Sequence, residues 1–323
     1  MINIGIIGVG RWGTNYLRVF NELSNANVKW ICATKKSTLI QALRSVKLKN
    51  KVKSTTDYKD ILKDREVDAV AIASSGSTHY KFSKEALQHN KHVLVEKPVA
   101  FSSRDVKNLI RISNKTGKVL MAGHLHLYNS GIQKLKSDIA NGAFGKVSQT
   151  HFSHFGNGPI RSDMSALWDF FTHSVSIILY LFDKMPVSVG ADGLSYIKKG
   201  NEDMVAMNLK LPSGISAVSI GSWLYPIKKM EIIVIGDKKY AAFDDYAEKD
   251  KLKYYDVSDK KERFVAPRIK NTRPLTMELH HFLDCIENKK QPVSNGFEAL
   301  KVVKVLECAQ RSLENEGVEI YVA

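Results

Sequence analysis

Residues 4–17 read IGIIGVGRWGTNYL, an apolar β-branched run followed by spaced glycines and then by a segment with helical spacing. In a strand, turn and helix unit, Gly8 permits the tight turn, Gly10 lets the backbone approach a pyrophosphate, and Gly13 lets helix and strand pack closely. The helix N-terminus then points at anionic oxygens. The stretch therefore predicts a dinucleotide-binding turn, whose predicted cofactor-binding residues are Gly8, Gly10, Arg11, Trp12 and Gly13.

The order of predicted elements changes once along the chain. Up to residue 125, short apolar runs alternate with helical segments, which is typical of a parallel sheet with crossover helices. Beyond residue 129, helices are followed by several successive strands with short turns, which predicts an antiparallel sheet. We expect an α/β fold: a Rossmann doubly wound parallel sheet in residues 1–125, and an α+β domain with an open, mostly antiparallel sheet for substrate binding and oligomerisation in residues 126–323.

The composition is that of a globular protein, with 44% hydrophobic and 25% charged residues. The net charge is +15, but the lysines are spread over predicted helix faces without the aromatic residues that stack bases, so we expect no nucleic-acid partner. No apolar run reaches the roughly 20 residues that a spanning helix needs, so we expect no membrane partner. The cysteines Cys32, Cys285 and Cys308 form no CxxC motif, and we interpret them as reduced, buried thiols of a cytoplasmic protein.

The end of the second predicted strand bears on the choice of cofactor. A carboxylate usually holds the ribose 2′-hydroxyl at this position, but here the chain reads ICATKKS. Thr34, Lys35 and Lys36 offer a hydroxyl and two cations, which suit a 2′-phosphate. NADP(H) is therefore favoured over NAD(H), although lysines on a loop are often only solvated and NAD(H) stays open.

The strand VLVEKPVA places Glu96 and Lys97 at the carboxyl edge of the parallel sheet, where ligands of open α/β folds bind, and both residues are predicted to contact the cofactor. Beside a nicotinamide, the Lys97 ammonium is suited to bond a substrate hydroxyl and to shuttle its proton while hydride leaves the same carbon. Taken without other evidence, Lys97 is better explained as a salt-bridged lysine at a strand end.

A second candidate group lies on the apolar helix ALWDFFTHSVSIILYLF, where Asp169 and His173 are four residues apart and share one face. His173 is suited to donate or accept a proton, and Asp169 to orient His173 or Lys97. These two residues with His124-x-His126 offer the residue types of a metal site, but nothing in the sequence ties the two groups together. Hydride transfer is the simpler interpretation, and we expect no metal.

These residues resemble the glucose-fructose oxidoreductase, inositol dehydrogenase and rhizopine-catabolism (Gfo/Idh/MocA) family of NAD(P)-dependent oxidoreductases. The resemblance covers essentially the whole chain and rests on the glycine turn, VDAVAIASSGSTHYKFSKEAL, Glu96-Lys97-Pro98, GHLHLYN and Asp169-x-x-x-His173. It implies that Lys97 and His173 are catalytic with Asp169 beside them, and that the protein is a homodimer or homotetramer. Two stretches, GPIRSDMSALWDFFTHSVSIILYL and SWLYPIKKMEIIVIGDKKYAAFDD, are similar to the branch associated with sugar-nucleotide pathways.

Further site residues follow from this resemblance. The loop SSGSTH departs from the proline-containing loop common in the family, yet its side chains are expected to line the adenosine side of the cofactor: Ser74, Ser75, Thr78 and His79. Arg161 suits a substrate diphosphate or carboxylate, and an interdomain salt bridge is nearly as good an explanation. Tyr128 and Asn129 are expected to border the nicotinamide or the sugar.

The predicted activity is hydride transfer between NAD(P)(H) and a ring carbinol or ketone carbon of a sugar, a cyclitol or a nucleotide-linked sugar. The alternative is a regulator of the same fold that binds cofactor without catalysis. Imine or diol reduction stays open within the enzyme class, because the fold fixes the cofactor and not the substrate.

Overall fold

The computed structural model describes residues 1–158, 160–259, 261 and 263–322. The chain forms two compact units, one of residues 1–125 with 273–300 and one of residues 126–272 with 301–323. The sequence predicts a single boundary after residue 125, so the return of residues 273–300 to the first unit is a difference from that prediction.

The helices in the described part of the chain range from six to 18 residues in length. In chain order they are α1 (Gly13–Glu22), α2 (Lys36–Ser45), α3 (Tyr58–Lys63), α4 (Gly76–Gln88), α5 (Ser103–Thr116), α6 (Ser130–Ala140), α7 (Ala166–Phe182), α8 (Pro274–Glu287) and α9 (Gly296–Leu313). Two short 3₁₀ turns cover Leu125–Tyr128 and Pro212–Gly214. Asp57 illustrates a local start signal, since its side chain accepts the backbone N–H of Lys59 at 3.0 Å and caps α3.

The first unit is built on a six-stranded parallel sheet. Its strands are β1 (Ile2–Ile7), β2 (Ala26–Cys32), β3 (Lys53–Thr55), β4 (Ala69–Ile72), β5 (His92–Glu96) and β6 (Leu120–Gly123). The strand order is β3-β2-β1-β4-β5-β6, and every pairing is parallel. This order reverses between β1 and β4, which is the switch point where open α/β folds bind their ligands. The predicted Rossmann sheet is confirmed.

Buried apolar runs explain the parallel sheet. β4 is buried at all four positions, and Val93, Leu94 and Val95 of β5 are fully buried, as expected for strands covered by helices on both faces. The segment 273–300 joins this core because α8 packs on α1 and because Ser294 donates its hydroxyl to the Ala122 carbonyl at 2.7 Å. Both contacts tie a late part of the chain to the first sheet.

The second unit contains a nine-stranded, mostly antiparallel sheet, as predicted. Its strands are β7 (Val147–Asn157), β8 (Ser188–Leu194), β9 (Met204–Lys210), β10 (Ser216–Ser222), β11 (Leu224–Gly236), β12 (Lys239–Asp244), β13 (Leu252–Asp256), β14 (Phe264–Val265) and β15 (Ile320–Tyr321). They lie in the order β14-β13-β12-β11-β7-β10-β9-β8-β15, with β7 and β10 parallel. The sequence did not predict β13, in which two charged residues flank two tyrosines, or β14, which is only two residues long.

The two faces of this second sheet differ. Along β9 the residues Val205, Met207 and Leu209 are buried while the residues between them are exposed, the alternation of a sheet covered on one side only. α7 packs against β9 and β10, and α6 packs against β12. The opposite face of the sheet lies at the surface of the unit.

Two further observations concern the whole described chain. Within the residues that the structure describes, no helix combines the length and the apolarity needed to cross a bilayer. The three cysteines are free thiols, and all three are buried.

Candidate active site

The glycine turn joins β1 to α1. Gly8 has φ +96°, a value that L side chains rarely adopt, and a Cβ there would lie 2.6 Å from the Ser74 backbone nitrogen. A Cβ on Gly13 would lie 1.9 Å from the Gly8 carbonyl oxygen. Both positions therefore require glycine for the close approach of turn, helix and the neighbouring strand end.

Gly10 differs from the other two glycines. A Cβ at Gly10 would meet no described atom within 4 Å, so the space over the middle of the turn is open. α1 has no acidic residue in its first turn, and Trp12 at its N-cap makes no side-chain cap bond to the residues described. An open glycine at an uncapped helix N-terminus fits the pyrophosphate of a dinucleotide.

Glu96 connects this turn to the end of β5, directly before Lys97. Its Oε1 accepts hydrogen bonds from the Trp12 indole and from the Tyr16 hydroxyl, the latter at 2.6 Å. Its Oε2 lies 3.3 Å from the backbone nitrogen of Lys97. The start of α1 and the end of β5 are thus held together through one carboxylate.

The half-buried Glu96 carboxylate interacts with one buried carboxyl group, that of Glu278. Burial raises the pKa of Glu96, against the lowering effect of Tyr16, Lys97 and Trp12. Glu278 of α8 is fully buried, and neither of its carboxylate oxygens has a hydrogen-bond partner among the described residues. Burial, together with the negative charge of Glu96, raises the pKa of Glu278 well above its usual value. Burial also raises the pKa of Tyr16.

The loop after β2 lies next to the glycine turn. The backbone N–H groups of Gly8 and Val9 both donate to the Cys32 carbonyl, at 2.8 and 3.1 Å. Thr34, Lys35 and Lys36 follow directly and are exposed. The three side chains predicted to select the cofactor therefore stand in solvent at the edge of the turn.

The loop after β4 is partly structural. The hydroxyls of Ser74 and Thr78 lie 2.7 Å apart, and Ser75 is exposed at the start of α4. His79 is only 2% exposed, and its ring nitrogens lie 2.8 Å from the Pro98 carbonyl and 3.0 Å from the Ser74 carbonyl. His79 therefore ties this loop to the one after Lys97, and its direct contact with a cofactor stays a prediction.

In the second unit, Asp169 lies in the first turn of α7 and His173 lies one turn later. The Asp169 Oδ2 accepts the Trp223 indole N–H at 3.2 Å, and its Oδ1 lies 3.7 Å from the Arg161 guanidinium. Arg161 also donates twice to Asp163, at 3.0 and 2.9 Å. These ion pairs of Arg161 lie within its own unit. Its contact with a substrate anion stays a prediction.

Aromatic rings surround His173. The ring of His126 meets it edge to face, with centroids 4.7 Å apart, and the ring of His154 lies 5.7 Å away. His154 in turn stacks on Phe170 at 4.2 Å. His124, considered with His126 as a metal ligand, is instead buried in the first unit. In the described part of the chain, no three His, Cys, Asp or Glu side chains form a group that could hold a metal ion.

Tyr128 and Asn129 are buried, with exposures of 5% and 7%. The Asn129 side chain caps α6 by accepting the Gly131 N–H at 2.9 Å, and its amide donates to Asp245 at 3.0 Å. Asn129 therefore serves the local structure of the second unit, and the contact of both residues with substrate or nicotinamide stays a prediction.

Three site residues were missed by sequence reasoning: Tyr16, Glu278 and Trp223. Glu278 carried a usable signal, because it lies one position before the apolar Leu279 and four before Phe282, which are both fully buried. A carboxylate among such neighbours needs a partner or a proton. The sequence around Trp223 carried no usable signal, because a tryptophan at a strand end usually indicates only a core position.

Comparisons with known proteins match both parts of the chain to family models. The family model described as "Oxidoreductase family, NAD-binding Rossmann fold" matches residues 2–124, and the "GFO/IDH/MocA C-terminal domain" matches residues 132–242. Myo-inositol 2-dehydrogenase of Thermotoga maritima is 25% identical and covers 98% of this chain and 97% of its own.

Two solved structures share the fold. UDP-N-acetylglucosamine 3-dehydrogenase of Acidithiobacillus ferrooxidans has a TM-score of 0.84 at 20% identity, over 97% of this chain and 98% of its own. Levoglucosan dehydrogenase in complex with NADH and levoglucosan has a TM-score of 0.85 at 19% identity, over 99% of both chains. At these identities the likeness concerns the fold.

Glu278 makes the stability of the protein depend on pH. The pKa of Glu278 is raised in the folded chain and is about 4.3 when unfolded. Between these two pKa values, Glu278 is protonated in the folded chain and ionised in the unfolded chain. The free energy of unfolding therefore falls by about 1.4 kcal/mol for each pH unit in this range. Glu278→Gln, which cannot ionise, is expected to be increasingly more stable than the wild type from pH 5 to 8 in urea unfolding.

Glu287→Gln serves as the control, since Glu287 is exposed on the same helix. A constant stability difference between Glu278→Gln and the wild type across this pH range would contradict the assignment of a buried, protonated Glu278.

Proposed function

The chain belongs to the GFO/IDH/MocA family of oxidoreductases, and from that premise we propose that it is an NAD(P)(H)-dependent dehydrogenase of a cyclitol or sugar, free or linked to a nucleotide. The reaction would move hydride between nicotinamide and a ring carbinol or ketone carbon. The name of the Thermotoga maritima relative, a myo-inositol 2-dehydrogenase, supports a polyol ring as substrate.

The observation that carries this proposal is the connection made by Glu96. Trp12 and Tyr16 at the start of α1 donate to the same carboxylate oxygen, and that carboxylate belongs to the residue before Lys97. The pyrophosphate turn and the proposed catalytic lysine are therefore fixed relative to each other within one unit. A lysine that is merely salt-bridged at a strand end would not require this link.

Each residue has a proposed task. Nicotinamide, when bound, supplies or accepts the hydride. The Lys97 ammonium holds the substrate oxygen and gives or takes its proton, so that charge does not build up on that oxygen. In the second unit, His173 is the proposed second acid or base, and Asp169 orients the proton-transferring groups. Arg161 is proposed to add positive charge for an anionic substrate group.

The test of Lys97 separates binding from turnover. Lys97→Ala is expected to bind NADPH within about threefold of the wild type but to lose about 100- to 10,000-fold in kcat, the range for a general acid or base. Nicotinamide fluorescence measures binding, and NAD(P)H absorbance measures turnover with a panel of inositols, keto-sugars and sugar nucleotides.

Lys118→Ala is the matched control, because Lys118 is a half-buried lysine of the same unit just before β6. A wild-type protein that binds the nucleotide but turns over no member of the panel would favour the regulator instead. Wild-type kcat in Lys97→Ala would remove Lys97 from the mechanism.

We also propose that NADP(H) is preferred over NAD(H). Lys35 and Lys36 are exposed and lie next to the glycine turn. The Gly8 and Val9 N–H groups of that turn donate to the Cys32 carbonyl, a few residues before the two lysines. Their ammonium groups would pair with a 2′-phosphate, whereas a carboxylate at this position would repel it.

The double variant Lys35→Ala/Lys36→Ala is expected to raise the Kd of NADPH about tenfold and to leave the Kd of NADH unchanged, because only the 2′-phosphate loses its partners. Titration of each nucleotide at fixed ionic strength gives both constants. Lys51→Ala/Lys59→Ala removes the same charge from exposed positions of the same unit. An unchanged ratio of the two Kd values would contradict the preference.

A second copy of this chain is the proposed partner of the open sheet face. Across the sheet, Val218 pairs with His151, which pairs with Ile233, so these side chains share one face. Val218 and Tyr240 are each 37% exposed, which leaves apolar side chains at the surface of a sheet. Such a surface suits an isologous contact in a dimer, or in a tetramer built from dimers.

Val218→Lys is expected to convert a dimer or tetramer to a smaller species without lowering Tm by more than a few degrees, because it places a charge in the shared face. Sedimentation velocity at micromolar concentration measures the species. Ile40→Lys, at an exposed apolar position of α2, is the control. A wild-type protein that sediments only as a monomer would contradict the proposal.

A further inference from the structure

We propose that Trp223 is a positioning residue for Asp169, a role that rests on the proposed function of the second unit. The indole Nε1 donates to the Asp169 Oδ2 at 3.2 Å. Trp223 lies in the stretch SWLYPIKKMEIIVIGDKKYAAFDD, to which no site role was assigned from the sequence, and it is 54 residues further along the chain than Asp169.

Trp223 is held rigidly. It lies between β10 and β11 and is 1% exposed, among the largest fully buried side chains of the protein. Its backbone N–H donates to the Asp203 carbonyl at 3.0 Å, and its ring meets Phe170 edge to face at 6.4 Å. The indole N–H is therefore presented from a fixed place in the sheet.

The Asp169 carboxylate is held at both oxygens. The Trp223 indole N–H donates to Oδ2, and the Arg161 guanidinium lies 3.7 Å from Oδ1. The Arg161 distance is longer than a hydrogen bond, because the Nε and one terminal nitrogen of Arg161 donate to Asp163. Of these two contacts, the direct hydrogen bond comes from Trp223.

The torsion about the last bond of an aspartate is broad, so a carboxylate at a helix surface needs a neighbour to fix its plane. An indole N–H can only donate, and it therefore selects an accepting oxygen. Asp169 lies one helical turn before His173 on α7. Fixing its carboxylate fixes the orientation of the charge that the proposed proton transfer uses, and small misplacements of such groups are costly.

The chain provides a matched control on the same helix. Trp168 is 8% exposed, and its indole donates to Gln310 at 3.2 Å, the same distance as that between Trp223 and Asp169. Replacing either tryptophan by phenylalanine removes an indole and one hydrogen bond from a buried place. Only Trp223→Phe removes a donor from Asp169.

The kinetic test compares these two variants. Trp223→Phe is expected to lower kcat about 10- to 100-fold, the loss expected for a hydrogen bond to a charged group, with the Kd of NADPH unchanged. Trp168→Phe is expected to keep kcat within about twofold. The double variant Trp223→Phe/Asp169→Ala is expected to lose no more kcat than Asp169→Ala alone, because Trp223 acts through Asp169.

A multiplicative loss in the double variant, or a wild-type kcat in Trp223→Phe, would overturn the role of Trp223. A wild-type protein that turns over no polyol would instead overturn the proposed function. A failure of the proposed function thus appears in the wild type, whereas a failure of the role of Trp223 appears only in its variants.

A second measurement leaves Trp223 intact and needs no turnover. The four indole N–H signals of the protein are assigned by elimination with Trp12→Phe, Trp30→Phe and Trp168→Phe. In Asp169→Ala the Trp223 signal is expected to move upfield, because it loses a charged acceptor, while the Trp168 signal stays in place. An unmoved Trp223 signal would show that the hydrogen bond is not formed and would overturn the proposal.

Discussion

The hydrogen bonds that Glu96 accepts from Trp12 and Tyr16 are the interaction on which the first unit depends. They bring a strand end and a helix start to one carboxylate, and both segments carry residues of the proposed chemistry. The arrangement is costly, because burial raises the pKa of Glu96, and burial together with the Glu96 charge raises the pKa of a second carboxyl group, Glu278. Buried carboxyl groups without full hydrogen bonding are more often found at functional sites than in ordinary cores.

In the second unit, too, neighbouring side chains contact the residues of the candidate site. Its helix α7 is almost entirely apolar and packs on a sheet, yet it carries Asp169 and His173, the proposed proton-transferring groups. Neighbouring side chains fix these groups from the sheet and from the preceding segments, namely Trp223 for Asp169, and His126 and His154 for the ring of His173. In each unit a buried ring donates to a carboxylate: the Tyr16 phenol in the first unit and the Trp223 indole in the second.

Much of the fold and of the candidate site could be predicted from the sequence, because the patterns that predict them lie within short segments. The spacing of Gly8, Gly10 and Gly13 reflects backbone constraints that only glycine meets, so the turn and the parallel sheet followed from a few residues. The i, i+4 spacing of Asp169 and His173 gave their common face in the same way. The short strands β13 and β14 have no such pattern and were not predicted.

What could not be predicted depends on contacts between distant parts of the chain. Segment 273–300 returns to the first unit through side chains such as Ser294, which has no pattern of its own. His79 and Asn129 have the residue types of binding groups, but their polar atoms bond to nearby backbone and side-chain groups. Tertiary structure determines which group a polar side chain bonds to, and the periodicity of the sequence does not predict that partner.

The most direct test of the central claim is the affinity of the glycine turn for NADPH, measured by nicotinamide fluorescence in the wild type and in Gly10→Ala, with Tm recorded for both. A methyl group at Gly10 meets no described atom within 4 Å, so folding should be unaffected, with Tm within a few degrees. The same methyl group would occupy the space proposed for the pyrophosphate, and the Kd should rise at least about tenfold. A wild type that binds neither nucleotide below millimolar concentration, or a Gly10→Ala variant that binds as tightly as the wild type, would contradict the account.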